Sequence, residues 1–329
     1  MRYITYDQPG DPSVLYVTHG PTPQPGSGEV LIEVEASGVS HADSMQRRGL
    51  YPPPKGASPI LGLECCGTIA QIGDGVAGFS IGDRVVALLT GGGYSEYVNV
   101  PAAQVLPLPS EWSLVEGATL PENAFTVYDN LLVRARLRKG ELALIHGGTS
   151  GIGSTAIMFA RAAGARVIAT AGSDEKCRAA LEIGAEVAIN YKTADFVEKI
   201  TEYTEKRGVD VVLDIVGGEY INRDLKVLAT EGRIVCLAHG PGGAEATIDL
   251  RYLIGRRGTL LGSSLRPRTI DEKAKITRGL LDNIWPLLSA RDPIVPLVDS
   301  VYTFSQAREA HERLESSAHI GKIVLVPDA

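Results

Sequence analysis

A disulfide framework is the first thing this sequence lacks. Its 329 residues hold four cysteines, Cys65, Cys66, Cys177 and Cys236, with no Cys-x-x-Cys spacing among them. A reducing, cytoplasmic compartment is therefore the default expectation. Long apolar runs are missing too. Nothing approaches the roughly 18–20 residues that a membrane span requires, so no membrane partner is expected. The opening stretch "MRYITYDQPGDPSVLYVTHG" has no apolar core of a secretory signal and reads as folded protein. Basic runs are equally scarce. The net charge is −7, and the densest basic patch, "RARLRK" at 134–139, reads as a solvated loop ahead of a strand. Nucleic-acid surfaces normally carry a basic stripe, so no nucleic-acid partner is expected. No internal repeat or low-complexity tract is present.

What remains is an ordinary globular balance, 44% apolar and 22% charged, in a chain long enough for two domains. The pattern changes character twice. Residues 1–123 are rich in Gly and Pro, with short β-like runs such as "EVLIEVEASGV" (29–39) and "GDRVVALL" (82–89) between turn signals. That predicts a partly closed antiparallel β domain. Residues 124–266 alternate strand and helix. "ELALIHG" is followed by Ile152, Ala156, Ile157, Ala160 and Ala163 at helical spacing, then by "ARVIATAG", "EVAINY", "VDVVLDIVGG" and "GRIVCLAHG". Continuous apolar strands of this kind predict a doubly wound parallel sheet. Residues 267–329 end in "KIVLVP" and are too short for a domain of their own, so they are expected to return and complete the first.

Residues 146–153 read "HGGTSGIG" and lie between a strand and a helix, the context in which a glycine turn holds a pyrophosphate. The pattern G-x-G-x-x-G is not met in its usual register. Gly148 and Gly153 fit, Ser150 takes the middle slot and Gly151 follows it; a shifted match uses Gly151, Gly153 and Ala156. The expected phosphate contacts are Gly148, Ser150, Gly151, Ile152 and Gly153. The next strand distinguishes the dinucleotides, because an NAD site usually ends it with Asp or Glu. In "ATAGSDEK" that slot falls on Ala171, followed by Gly172, Ser173 and Lys176, a set that suits a 2′-phosphate and predicts NADPH. Asp174 and Glu175 are contrary charges placed at the helix start.

The turn is similar to that of short-chain dehydrogenases, whose Tyr-x-x-x-Lys pair must share one helix face. Here the only such spacing is Tyr51 to Lys55, with three prolines between, which no helix interior accepts. The whole chain instead resembles the medium-chain dehydrogenase/reductase superfamily, in its zinc-free quinone oxidoreductase branch. The carrying stretches are "SGVSHADSMQRRGLYPPPKGASPILGLECCGTI", "GDRVVALLTGGGYSEYV", "LIHGGTSGIG", "TAGSDEK", "INYK" and "HIGKIVL". The resemblance implies a GroES-like barrel joined to a Rossmann domain, and homodimers paired through edge strands of the latter. Zinc members carry a cysteine ligand where Ser40 stands and a histidine where Leu63 stands; only Glu64 remains. The four-cysteine structural lobe is also missing, and neighbouring strand residues Cys65 and Cys66 point to opposite faces, so no metal is expected.

Without zinc, the acceptor's oxygen must be stabilised by hydrogen-bond donors. His41, where the branch commonly carries Asn, and Tyr51, in the proline-stiffened "GLYPPP", are the candidate catalytic residues. The same resemblance places Tyr191 beside Lys176 at the 2′-phosphate and Thr126 near the cofactor phosphates or ribose. It assigns "LAHGPGG" (237–243), with His239, and "GSSLR" (262–266), with Ser264, Leu265 and Arg266, to the nicotinamide half, largely through backbone groups. Lys322 is expected to add charge at the phosphate, and His146 to pack against the sheet. The function implied is NADPH-dependent reduction of quinones. C=C reduction of enones or enals, and an NADPH-binding role without turnover, are the alternatives; an enoyl-thioester reductase is disfavoured by the absence of a basic patch for a carrier protein.

Overall fold

The computed structural model describes residues 1–238, 240, 242–288 and 294–329. They form two compact units. One comprises Met1–Phe125, the segment from Leu265 and Pro296–Ala329; the other comprises Thr126–Ser264, joined by Ile294 and Val295. The boundaries thus fall at 125/126 and 264/265, where the sequence pattern put 123/124 and 266/267. The return of Val295 to the second unit, where its N–H donates to Met158 Sδ at 3.2 Å, has no periodic signal in the sequence.

Seven strands precede the second unit: β1 (Arg2–Thr5), β2 (Tyr16–His19), β3 (Glu29–Val39), β4 (Glu64–Ile72), β5 (Arg84–Leu88), β6 (Tyr97–Pro101) and β7 (Val105–Pro107). The second unit holds β8 (Leu142–Ile145), β9 (Arg166–Ala171), β10 (Val187–Asn190), β11 (Val209–Asp214), β12 (Leu228–Cys236) and β13 (Thr259–Gly262). β14 (Val298–Thr303) and β15 (Lys322–Val326) belong again to the first.

In the first unit the sheet runs β14-β15-β3-β4-β5-β7, with β6 also on β3, so the barrel is only partly closed. β3 can serve three neighbours because it is 11 residues long. Its start pairs with β6, most of its length with β4, and Ser37–Val39 with β15. On β6, Val98 and Val100 face the core while Tyr97 and Asn99 face outward, the alternation of a half-buried strand. Val30, Ile32, Cys65, Ile69, Val85 and Val98 fill the interior. Cys65 lies in that cluster, whereas Cys66 Sγ faces Gly117, so the adjacent thiols are small core groups on opposite faces.

The second unit is a parallel sheet in the order β10-β9-β8-β11-β12-β13. Numbered within the unit this is 3-2-1-4-5-6, the doubly wound order of dinucleotide-binding sheets, with its topological switch between β8 and β11. All six residues of β11 are buried, as a strand covered on both faces requires. Among the described residues no helix is long and apolar enough to cross a membrane.

One buried ion pair ties the first unit together. Lys322 Nζ lies 2.6 Å from Glu64 Oε1 and 3.5 Å from Glu122 Oε2, and the Glu122 amide donates to Glu64 Oε2 at 2.9 Å. Side-chain exposure of Lys322 and Glu64 is 5% and 0%. This corrects the expected phosphate role of Lys322: its ammonium is committed inside the barrel, where a second charge costs too much desolvation to leave unpaired. Burial pushes the Glu64 carboxyl up to about 7 against the pull of Lys322, while the two carboxylates hold Lys322 above its ordinary range in spite of burial. Lys322→Met is expected to cost about 3–5 kcal/mol at pH 8, because it strands a buried carboxylate. The folded value of Glu64 exceeds its ordinary 4.5, so its protonation supports the fold fully below that pH and the support is lost as pH rises through about 7. The cost of Lys322→Met should therefore be smaller at pH 5.5, and adding Glu64→Gln should recover most of it. Urea midpoints at both pH values measure this; equal costs would show that Glu64 ionisation does not set them.

Candidate active site

The glycine turn follows β8 at the switch point of the sheet. Its base is His146, whose ring nitrogens meet Thr170 Oγ1 and Asp224 Oδ1, each at 2.9 Å, and whose ring makes T-shaped contacts with Phe196 and Tyr220. His146 is thus a buried anchor for the turn. Gly147 has φ +66°, a conformation that favours glycine. A Cβ on Gly153 would stand 2.1 Å from the Gly147 carbonyl oxygen, and one on Gly148 would stand 2.7 Å from the Cβ of Ala169. The chain can therefore turn this tightly only with glycine at both positions.

Ser150, which interrupts the glycine pattern, is the N-cap of the helix Gly151–Ala162, and its Oγ accepts from the Gly153 amide at 3.0 Å. This changes the part Gly153 plays. Its N–H is engaged by Ser150, so its contribution is steric; Gly151 and Ile152 supply the first-turn amides that lack an intrahelical acceptor.

At the C-terminal ends of β9 and β10, Gly172 and Tyr191 come together. Ala171 is the last residue of β9 and is buried, so no carboxylate occupies that position. A Cβ on Gly172 would lie 2.7 Å from Tyr191 Oη, which places the phenol directly over this glycine. Ser173 caps the helix Asp174–Ile183 and accepts from the Lys176 amide at 3.2 Å. Asp174 and Glu175 occupy that helix's first turn, and Asp174 accepts from Asn190 Nδ2 at 2.7 Å. Thr126 opens the second unit, its carbonyl accepting from Asn130 Nδ2 at 2.8 Å. Ser264 is exposed and Leu265 half-buried. His239 lies outside the described residues.

Within the first unit, Tyr51 and Arg266 meet. The Arg266 guanidinium stands 5.2 Å from the Tyr51 ring centroid and donates to the carbonyls of Tyr51 (3.3 Å) and Thr90 (3.0 Å) and to Gln46 Oε1 (2.6 Å). The resemblance pointed to Arg266 for its backbone; its side chain instead shapes the loops around Tyr51 and the glycine run that begins at Gly91. Beneath it, Lys273 donates to Thr90 Oγ1 and to the Arg266 carbonyl, and burial, aided by the Arg266 charge, pushes its ammonium down to about 8.

His41 is exposed and opens the helix His41–Arg47. The preceding Ser40 is its N-cap in a reciprocal capping box with Asp43, whose Oδ2 accepts from the Ser40 amide at 2.9 Å and the Ser40 hydroxyl at 2.8 Å. "SHAD" carries the readable signature of such a box, yet motif reading by itself passed over Asp43. The residues at the three zinc-ligand positions have other partners or none to offer a metal: Ser40 donates to Asp43, Leu63 is a buried hydrocarbon, and Glu64 faces Lys322. Among the described residues no cluster of His, Cys, Asp and Glu is arranged to hold a metal ion.

The family model "Alcohol dehydrogenase GroES-like domain" matches residues 26–110, and "Zinc-binding dehydrogenase" matches residues 151–278. A quinone oxidoreductase of Rattus norvegicus is 32% identical over 334 aligned residues, which span 99% of this chain and 98% of the relative. The crystal structure of Escherichia coli quinone oxidoreductase complexed with NADPH superimposes with a TM-score of 0.85 at 31% identity, covering 99% of this chain and 100% of that one. The apo structure of JamJ enoyl reductase does so with a TM-score of 0.88 at 26% identity, covering 99% of each chain. The chain belongs to the medium-chain dehydrogenase/reductase superfamily, with the quinone oxidoreductases among its relatives.

Proposed function

We propose that this protein is an NADPH-dependent quinone reductase that works without zinc. The observation that carries the reading is the end of β9. A buried alanine takes the place of the ribose-binding acid, the Tyr191 phenol stands over Gly172, and Ser173 and Lys176 follow at the start of the next helix, which supports assigning a hydroxyl and a cation to this position. An opposite charge about 4 Å from a phosphate is worth roughly 4 kcal/mol at an effective dielectric of 20, before desolvation and solvent screening reduce it. The tight turn at Gly147–Gly153 fits a pyrophosphate, which only a glycine backbone could approach so closely.

Bound NADPH supplies the hydride. The chain's own groups receive the charge that gathers on the acceptor's oxygen, and a proton delivered there completes the hydroquinone. His41 and Tyr51 are the assigned donors, each worth roughly 3–4 kcal/mol by analogy with oxyanion-hole groups. Arg266 holds the Tyr51 ring and carbonyl in place. The occupied or apolar partners at the zinc-ligand positions support a metal-independent route. Addition of the hydride to the C=C bond of an enone or enal is the second reading, favoured by the likeness to an enoyl reductase.

The assembly we propose is a homodimer. Among the described residues β13 pairs with β12 alone, leaving one edge of the sheet open, and Leu260 on it is exposed together with Leu250, Tyr252 and Ile254 of the preceding helix. An open apolar edge is a template for strand pairing with a second copy. Light scattering should give twice 34.9 kDa, and Leu260→Lys should give the single-chain mass; a single-chain mass for the unaltered protein would refute the dimer.

Initial rates of NADPH oxidation with an ortho-quinone, on chelator-treated protein and with NADH alongside, test the activity. Turnover that prefers NADPH and survives chelation is expected, exceeding that with an enal. Loss on chelation with recovery on adding zinc would overturn the metal-free route. Saturable NADPH binding without turnover on either acceptor would leave a binding role only. Lys176→Ala should raise KM for NADPH about tenfold to a hundredfold and leave NADH almost unaffected; equal effects on both would remove Lys176 from the 2′-phosphate.

A further inference from the structure

Arg266 and Lys273 are buried cations, 6% and 2% exposed, and among the described residues every acceptor they meet is neutral. The guanidinium donates to the carbonyls of Tyr51 and Thr90 and to the amide oxygen of Gln46, while the ammonium donates to Thr90 Oγ1 and the Arg266 carbonyl. Other cations of this unit face carboxylates instead, as Arg313 faces Asp299 at 2.7 Å and Lys322 faces Glu64. A carboxylate partner would cancel much of the positive field; a carbonyl only turns a dipole toward it. Gln46 is itself fixed, its Nε2 donating to the Pro59 carbonyl at 2.8 Å, which keeps the guanidinium fork in place.

The group in that field is the half-buried ring of Tyr51, with its centroid 5.2 Å from the guanidinium carbon. A cation beside an aromatic ring is attracted to the neutral ring. It is attracted far more strongly to the phenolate that the ring becomes on losing its proton. Arginine keeps its charge throughout the range in which a phenol titrates. Lys273 does not: burial, aided by the Arg266 charge, pushes it down to about 8, so rising pH discharges it first and leaves Arg266 as the cation at Tyr51. Burial pulls Arg266 below its ordinary value, and Asp43, Tyr51 and Tyr6 oppose that pull. Asp43 is the acid of this set, and its carboxylate already accepts from Ser40 and from the Gly62 amide.

We propose that Arg266 tunes Tyr51 as well as holding it: its charge stabilises the phenolate and so makes Tyr51 a stronger proton donor than an ordinary tyrosine. This rests on the reading of Tyr51 as a donor to the acceptor's oxygen. As the acceptor takes up its hydride, the Tyr51 O–H bond breaks and an O–H bond forms on the negatively charged oxygen. The phenolate left beside Arg266 then regains a proton from solvent. NMR of tyrosine labelled at Cζ, followed through a pH titration, gives each phenol its own midpoint, and Tyr51→Phe identifies the Tyr51 signal by its loss. In the unaltered protein that midpoint should lie below about 10, the value of a free tyrosine. Arg266→Gln removes the charge and should raise the midpoint by about one pH unit, the scale of a charge about 5 Å from a half-exposed ring. It should also lower kcat with an ortho-quinone about threefold to tenfold, as a weaker acid does. Arg266→Lys keeps a charge without the fork and should leave the midpoint near its original value. A Tyr51 midpoint at or above about 10 in the unaltered protein, no shift in Arg266→Gln, or an equal shift in Arg266→Lys would overturn the charge effect. The titration needs no turnover, which separates it from the donor reading: an unchanged kcat in Tyr51→Phe would overturn that reading and the proton transfer with it.

Discussion

Lys322 and Glu64 hold opposite charges out of water at 2.6 Å, and much of the first unit is arranged so that they can. The pair joins β15 to β4, and the Glu122 amide and carboxylate complete the cage. Gly38 is obligatory beside it, because a Cβ there would lie 2.1 Å from the Glu64 carboxylate. Two residues after Gly38 comes Ser40, the cap whose partner Asp43 fixes the start of the next helix. The strand that leads to His41 thus runs directly past a charge pair that is out of solvent. Removing either charge would leave the other with a desolvation cost of several kcal/mol.

The second unit solves a different problem with sterics. Its switch point brings a turn to the end of β8, where the Gly153 hydrogen faces a carbonyl oxygen that no larger residue would tolerate. Ser150 then spends its oxygen on the helix cap, and Gly172 spends its missing side chain on Tyr191. Small residues here act by what they leave out, and the charged ones stay at the rim. That division suits an anionic ligand, since backbone amides cost no reorganisation when a phosphate arrives.

Local patterns in the sequence carried the fold a long way. "EVLIEVEASGV" coincides with β3 residue for residue, because turn signals bound it on both sides and its apolar positions face a core. The parallel sheet announced itself through continuous apolar runs, and Ala171 and Gly172 through their place at a strand end. Partners distant in sequence were not legible. A lysine opening an apolar strand, as Lys322 does, gives no sign of a glutamate near residue 64. Arg47, Tyr94 and His311 lie far apart in the sequence with no shared spacing, and only the topology buries them side by side.

The dependence of β3 on β15 also orders events in time. β3, β4 and Glu64 leave the ribosome early, but the strand that carries Lys322 follows roughly 260 residues later, about 13–50 s at 5–20 residues per second. Meanwhile the nucleotide-binding sheet, drawn from one continuous stretch, has all its strands. For that interval Glu64 lacks its lysine partner and the nascent barrel has an unpaired edge along Ser37–Val39. An open strand edge is a template for pairing with other chains, so translation speed sets how long this edge waits for its partner strand.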